Sequence, residues 1–373
     1  MKKPDILARV TLLGLVGFLV GRILNDFRTA HFTLTTWSIG QLMGRLGLLL
    51  LISFLAIGVH ELGHALLGKW QGFQFQWLTV GPFRWQREGK QIRLRWNTSL
   101  AAAGGLLVSV PLGDHQLRRR YLRFAAGGPL ASLLLASVAL SGYVLLSTPV
   151  FSKPLGFSLV MTVTVSGAIA LATLLPLHLG GFASDGARLL TFWRGGPASQ
   201  LELAVLTVTG HSIAGTRPRH LPLAALQAAL PLPDTLPFKP YLYHYLYLAA
   251  LDNGQVGQAA HYLTAYRERV PQLPAALQET VWLEAAFFAA AFTQDLPASY
   301  GFQQQAVPSA LTAADIAFRV AAAQARLLGD APQTRQQAQA SLRALGRNMD
   351  QGSNAFYADW LHETLHWASE QGA

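Results

Sequence analysis

The stretch GVHELGHALLG, residues 58–68, lies in an apolar run from about residue 46 to 68 and carries two histidines and a glutamate where lipid would be expected. His60 and His64 are four residues apart, so a helix sets both imidazoles on one face, one turn from each other and close enough to share a zinc ion. Glu61 follows the first of them and can sit beside the metal without binding it, placed to take a proton from a water the metal acidifies. The spacing H-E-x-x-H is a zinc-hydrolase signature for this reason. A carboxylate near a bilayer centre costs about 2.5–3.5 kcal/mol on insertion scales, so Glu61 calls for a partner.

Composition supports the membrane setting. Of 373 residues 51% are hydrophobic and 13% charged, few for a water-soluble chain. Four stretches reach the about 20 apolar residues that a bilayer core requires: 6–24, about 46–68, 124–147 and 155–177. The first follows MKKPDILARV and lacks a small-residue cleavage pattern, so it reads as a retained span. Residues 1–200 hold 19 Lys and Arg against 6 Asp and Glu, whereas the remainder holds 10 against 13. Positive charge thus gathers in the loops flanking the spans, where it sets topology, and a nucleic-acid partner is not expected. With no cysteine, a metal must use His, Asp or Glu.

Lys2, Lys3 and Arg9 before the first span, and the Arg118, Arg119, Arg120, Arg123 cluster between the second and third, place both regions in the cytoplasm. The expected fold is mainly α: a polytopic helical bundle of about four spans with an inserted β-hairpin and a C-terminal α-helical, tetratricopeptide-like soluble domain. The hairpin, at about 73–97, rests on apolar/polar alternation in FQFQWLTVGPFRW and KQIRLRW across a turn at Arg87–Lys90. SLAAAGGLLVSVPL, residues 99–112, is too short to span and reads as interfacial or re-entrant. The domain reading is 1–41 for the first span and its loop, 42–195 for the membrane core, 196–216 for a linker that begins within RGGPAS (194–199), and 217–373 for the helical domain. In that domain turn signals at Asp252–Gly254, Gln294–Asp295 and Gly329–Asp330 recur near the 34-residue tetratricopeptide period.

A catalytic zinc takes three protein ligands and leaves one position open. Asp185 is the only acid between Asp114 and Glu202 and stands just beyond the last span, on the same side as His60 and His64. His178, in the same loop, is its competitor.

Three motifs in order, HELGH at 60–64, GGPLAS at 127–132 and LLPL…SDGARLL at 174–190, resemble those of the site-two protease family, zinc metalloproteases that cut peptide bonds within membranes. The resemblance covers roughly residues 42–195. It implies that His60, His64 and Asp185 bind zinc, that Glu61 activates water, and that a β-hairpin after the first core span helps hold an unwound substrate strand. The chain departs from the family in having Ser132 and Thr173 where Asn is common, and in the additional HLGGFA before Ser184. These changes leave the zinc set intact and bear on contacts to a substrate backbone.

The function expected is hydrolysis of transmembrane segments of other membrane proteins in the bilayer, at their cytoplasmic ends, with the C-terminal domain offering a surface for a protein partner. The setting implied is a multi-pass protein of a prokaryotic cytoplasmic membrane with both termini inside. The alternative is a weakly active or inactive receptor or scaffold that binds proteins through its helical domain. A zinc-dependent transporter is a weaker rival, since few other ionisable residues line the spans.

Overall fold

The computed structural model describes residues 38–88, 91–97, 104–113, 115–145, 153–179, 182–309, 312–346, 348 and 350–371. The span expected at 6–24 lies outside them. Among the described residues three helices are long and apolar enough to cross a membrane: α1 (Ile39–Trp70), α2 (Leu117–Leu145) and Leu155–Leu174 of α3 (Lys153–Leu174). These match the other three expected spans.

Helix α1 opens on a capping box. Ser38 Oγ accepts from Gln41 N at 3.3 Å, and Gln41 Oε1 accepts from Ser38 N at 3.1 Å, so two donors at the helix start are satisfied reciprocally. Its 32 residues extend about 48 Å. Ile52, Ala56, His60, His64 and Gly68 form a buried stripe, while Leu51, Leu55, Leu62 and Leu66 are exposed. An apolar helix with leucines on its open side is stable in lipid and not in water. The helix ends at Gly72, whose φ of 73° is one that residues with a Cβ seldom adopt.

The chain forms two compact units, residues 1–57 with 132–169, and residues 58–131 with 170–373. In the first, the Arg45 guanidinium lies over the Phe157 ring, 5.3 Å from its centroid. The second holds the remaining elements described here.

Where a hairpin was expected, four antiparallel strands stand in the order β3-β2-β1-β4: β1 (Phe73–Val80), β2 (Phe83–Glu88), β3 (Gln91–Trp96) and β4 (Leu106–Pro111). The alternating run read as one strand is broken at Gly81–Pro82, where Gly81 takes φ 54° and Pro82 has no N–H to give a ladder. Pairing of β2 with β3 closes across Glu88 and Gln91, at the expected turn. Residues 106–111, read as interfacial or re-entrant, pair with β1, which carries an irregularity between Phe75 and Trp77. Arg120 knits sheet to helices: its guanidinium donates to the carbonyls of Gln71, Gly72, Leu112 and Gly113 at 2.6–3.1 Å.

The added HLGGFA residues make a two-stranded pair, β5 (His178–Leu179) with β6 (Phe182–Ala183), leading into α4 (Asp185–Arg194). Residues within the expected linker form α5 (Gly196–Ile213), with Pro197 in its first turn, where a missing N–H costs nothing. One side of α5 contributes Leu201, Ala204, Val205 and Val208 to the largest hydrophobic core.

That core is closed by α6 (Ala224–Ala228), α7 (Lys239–Asp252), α8 (Val256–Glu268), α9 (Ala275–Ala291), α10 (Leu296–Gln304), α11 (Ile316–Leu327), α12 (Ala331–Leu345) and α13 (Gln351–Glu370). Neighbours pack as pairs, α7 with α8, α9 with α10 and α11 with α12. Their lengths, 14 and 13, 17 and 9, then 12 and 15 residues, do not keep the even pattern of a strict tetratricopeptide array. A polar node lies in the core: Arg319 pairs with Glu284 at 2.5 Å and Asp315 at 3.0 Å, and the hydroxyls of Tyr357 and Tyr247 donate to Glu284 at 2.9 and 3.2 Å.

Candidate metal centre

His60 and His64 lie on the buried stripe of α1 with ring centroids 5.0 Å apart. Asp185 reaches both: its Oδ2 is 3.2 Å from His60 Nε2 and its Oδ1 is 3.2 Å from His64 Nε2. The three residues can each present a ligand atom within 4.8 Å of the others, the one such group among the described residues. His178, the competitor for the third position, is exposed on β5 and outside it.

Local sequence explains how each donor is aimed. Asp185 is the first residue of α4, and the preceding Ser184 caps that helix by accepting from Ala187 N at 3.2 Å. The same hydroxyl donates to Leu175 O at 2.5 Å and accepts from Leu177 N at 3.1 Å, tying the helix start to the end of α3. Gly186 must be glycine, because a Cβ there would lie 1.9 Å from Leu174 O. His64 Nδ1 is 2.8 Å from Phe124 O. The Gly128 N–H is 3.2 Å from the same Nδ1, so α2 holds this edge of the ring and Nε2 is left facing Asp185.

The GGPLAS motif supplies close approach. A Cβ on Gly63 would meet Gly127 O at 2.3 Å, and one on Gly127 would meet Gly63 O at 2.5 Å, so α1 and α2 touch backbone to backbone. A Cβ on Gly128 would lie 2.2 Å from His64 Nε2 and 2.6 Å from His60 Nε2. Gly128 therefore keeps open the space at the two imidazoles. The sequence shows GGPLAS only as a motif, and this role of Gly128 is one that no spacing rule encodes. The Ser184 cap was legible as Ser before an acidic first turn and went unread. Thr173, at a position where the family commonly has Asn, donates to Ala170 O in its own helix at 3.3 Å.

Donor chemistry and spacing suit a divalent cation. The two 3.2 Å separations run from different oxygens of Asp185, one to each imidazole, and two imidazoles with one carboxylate, each offering an atom within 4.8 Å of the others, make a donor set that zinc takes. Burial disfavours ionisation of Asp185, but the hydrogen bonds and charge of His60 and His64 outweigh it and hold the carboxyl well below the usual range. It is thus the anion such a site needs. Glu61 is buried beside the histidines, within reach of the Leu107 backbone on β4.

The sequence model of peptidase family M50, the site-two protease family, matches residues 48–323, well over half of the chain. The chain belongs to peptidase family M50. Comparisons with curated proteins and with solved structures gave no match. Membership implies an intramembrane metalloprotease, and the three apolar helices fit insertion in a membrane. In the M50 frame the match takes in the motif histidines, the glycine pair and Asp185, and extends into the helical core beyond α5.

Proposed function

We propose that this M50 peptidase hydrolyses peptide bonds in or near transmembrane segments of other membrane proteins, with zinc held by His60, His64 and Asp185 and Glu61 as the catalytic acid and base. The observation that carries the reading is the convergence of both imidazole Nε2 atoms on one carboxylate at 3.2 Å, with Glu61 buried alongside. Zinc in that set supplies a Lewis acid that polarises the scissile carbonyl and acidifies a water. Glu61 takes a proton from the attacking water and gives it to the leaving amine, so the water oxygen ends on the new carboxylate and the C–N bond breaks.

Depth along α1 supports this chemistry. His64 lies about 9 Å and His60 about 15 Å along the axis from Trp70, the helix end. Lys69 and Trp70 are exposed there, a basic and aromatic pair suited to the membrane surface. The site is then shallow and within reach of water from the side carrying Lys69 and the arginine cluster, which we assign to the cytoplasm. A substrate helix must unwind before its carbonyls are accessible, and it does so most readily near its end.

The test is co-expression with membrane-protein substrates. Glu61→Gln should abolish cleavage while the purified protein keeps its zinc; unchanged cleavage by Glu61→Gln would eliminate the mechanism. Loss of zinc from Asp185→Ala, read by metal analysis, checks the ligand set separately. A receptor or scaffold would instead retain partner binding and show no dependence on Glu61.

A further inference from the structure

Helix α5 is part of the C-terminal core through Leu201, Ala204, Val205 and Val208, and is held there by Tyr245 Oη donating to Thr209 at 2.9 Å and Ser212 donating to Asp350 at 2.6 Å. At the margin of that stripe, two turns before Thr209, is Glu202, buried with its side chain 6% exposed, 3.8 Å from the Nε of Arg188. Arg188 is on α4, one turn after Asp185. Neither Glu202 Oε1 nor Arg188 Nε has a hydrogen-bond partner, so this is a loose contact between a buried carboxylate and a guanidinium whose side chain is 35% exposed. A carboxylate in such a place is costly, and an apolar side chain would pack there at lower cost. Stability therefore does not account for it.

The rest of α4 shows what the contact controls. Phe192, fully buried, packs on Tyr121 with centroids 5.4 Å apart, and Arg118 donates to the carbonyls of Phe192 and Trp193. These fix the far end of a ten-residue helix. Nearer its start the helix is held by the Ser184 cap and by Gly186 against Leu174 O, and Arg188 adds a charged contact at the second turn, next to Asp185.

We infer that Glu202 is a positioning residue for the metal set: through Arg188 it fixes the rotation of α4 and so aims Asp185 at His60 and His64, coupling the helical core mechanically to the site. This rests on the reading of those three residues as metal ligands. Arg188 from α4 and Tyr121 from α2 are the titratable groups facing Glu202, and Tyr241 from α7 lies near Arg188. Burial pushes the Glu202 carboxyl up to about 7, with Arg188 opposing. The carboxylate that attracts Arg188 therefore forms as pH rises through about 7. Because the pKa is raised on folding, ionising Glu202 costs stability, and that cost grows from the unfolded value near 4.5 to about 7 and persists above.

Two measurements on the full chain in detergent separate positioning from structure. Zinc affinity, measured by chelator competition, should be similar in wild type and Glu202→Gln at pH 6 and about tenfold weaker in the variant at pH 8, the scale of losses at outer-shell residues. The melting temperature should move oppositely, Glu202→Gln being the more stable protein at pH 8. Arg188→Ala should lose zinc affinity similarly, and the double variant should lose no more than either single one. Equal zinc affinity in wild type and Glu202→Gln at both pH values, with only the melting temperature changed, would overturn the inference and leave the protease reading standing. A wild-type protein that binds no zinc would overturn both.

Discussion

Two regions of the molecule bury polar groups, and they do so in opposite ways. In the helical core, Glu284 meets a guanidinium and two phenols, and Arg319 meets two carboxylates with its planar face 3.3 Å from the Tyr357 ring centroid. At the other site two imidazole nitrogens each stand 3.2 Å from an oxygen of one carboxylate, and Glu61 adds a second acid. In the first network the guanidinium and Glu284 answer each other within the protein, while Arg319 Nε is left without a hydrogen-bond partner. The second gathers two imidazoles and a carboxylate that could hold a metal ion. Burial of polar side chains is common to both; only the direction of their donors and acceptors tells structure from chemistry.

Four substitutions sharpen or break this comparison. Glu61→Gln should have the largest effect on function, lowering cleavage by about 10²–10⁴-fold with fold and zinc unchanged, as removal of a general acid-base group does; a substrate-cleavage time course reads it. Arg319→Leu should have the largest effect on stability, about 3–5 kcal/mol, because it leaves Glu284 buried without its countercharge. Denaturant unfolding followed by tryptophan fluorescence measures it, and a loss under 1 kcal/mol would mean that this network is not holding the core. Gly128→Ala should leave expression and melting nearly normal yet lower zinc content, since the added methyl meets ring atoms that can swing aside and lose their aim. Ser184→Ala should be mildest, costing about 1 kcal/mol through loss of the α4 cap, with a modest fall in zinc affinity.

The candidate metal site was more legible in the sequence than the Arg319 network. HELGH has a fixed spacing that a helix converts directly to geometry, and an acid-poor membrane half reduced the third donor to Asp185 or His178. The Arg319 node draws Tyr247, Glu284, Arg319 and Tyr357 from four helices, and no local pattern announces such a meeting. Strand reading failed where alternation is a poor guide: Gly81–Pro82 interrupts a run whose pattern continues across it, and β4 is nearly all apolar, so it resembled membrane-surface chain. The GGPAS segment resembles a linker because glycine and proline usually mark loops. Here Gly195 and Gly196 take φ of 72° and 80° to turn the chain, and Pro197 starts a helix of 18 residues.

The apolar run of α1, about 46–68 between Arg45 and Lys69, extends about 34 Å, somewhat beyond the about 30 Å of a typical hydrocarbon layer. Such a helix leans or thickens the lipid around it, and the lean changes when the bilayer does. Because the histidines are near one end, anchored by Lys69 and Trp70, the excess is taken up largely at the other end. Lipids with longer or shorter chains should therefore alter the tilt of α1 while leaving the depth of His64 below the headgroups nearly constant.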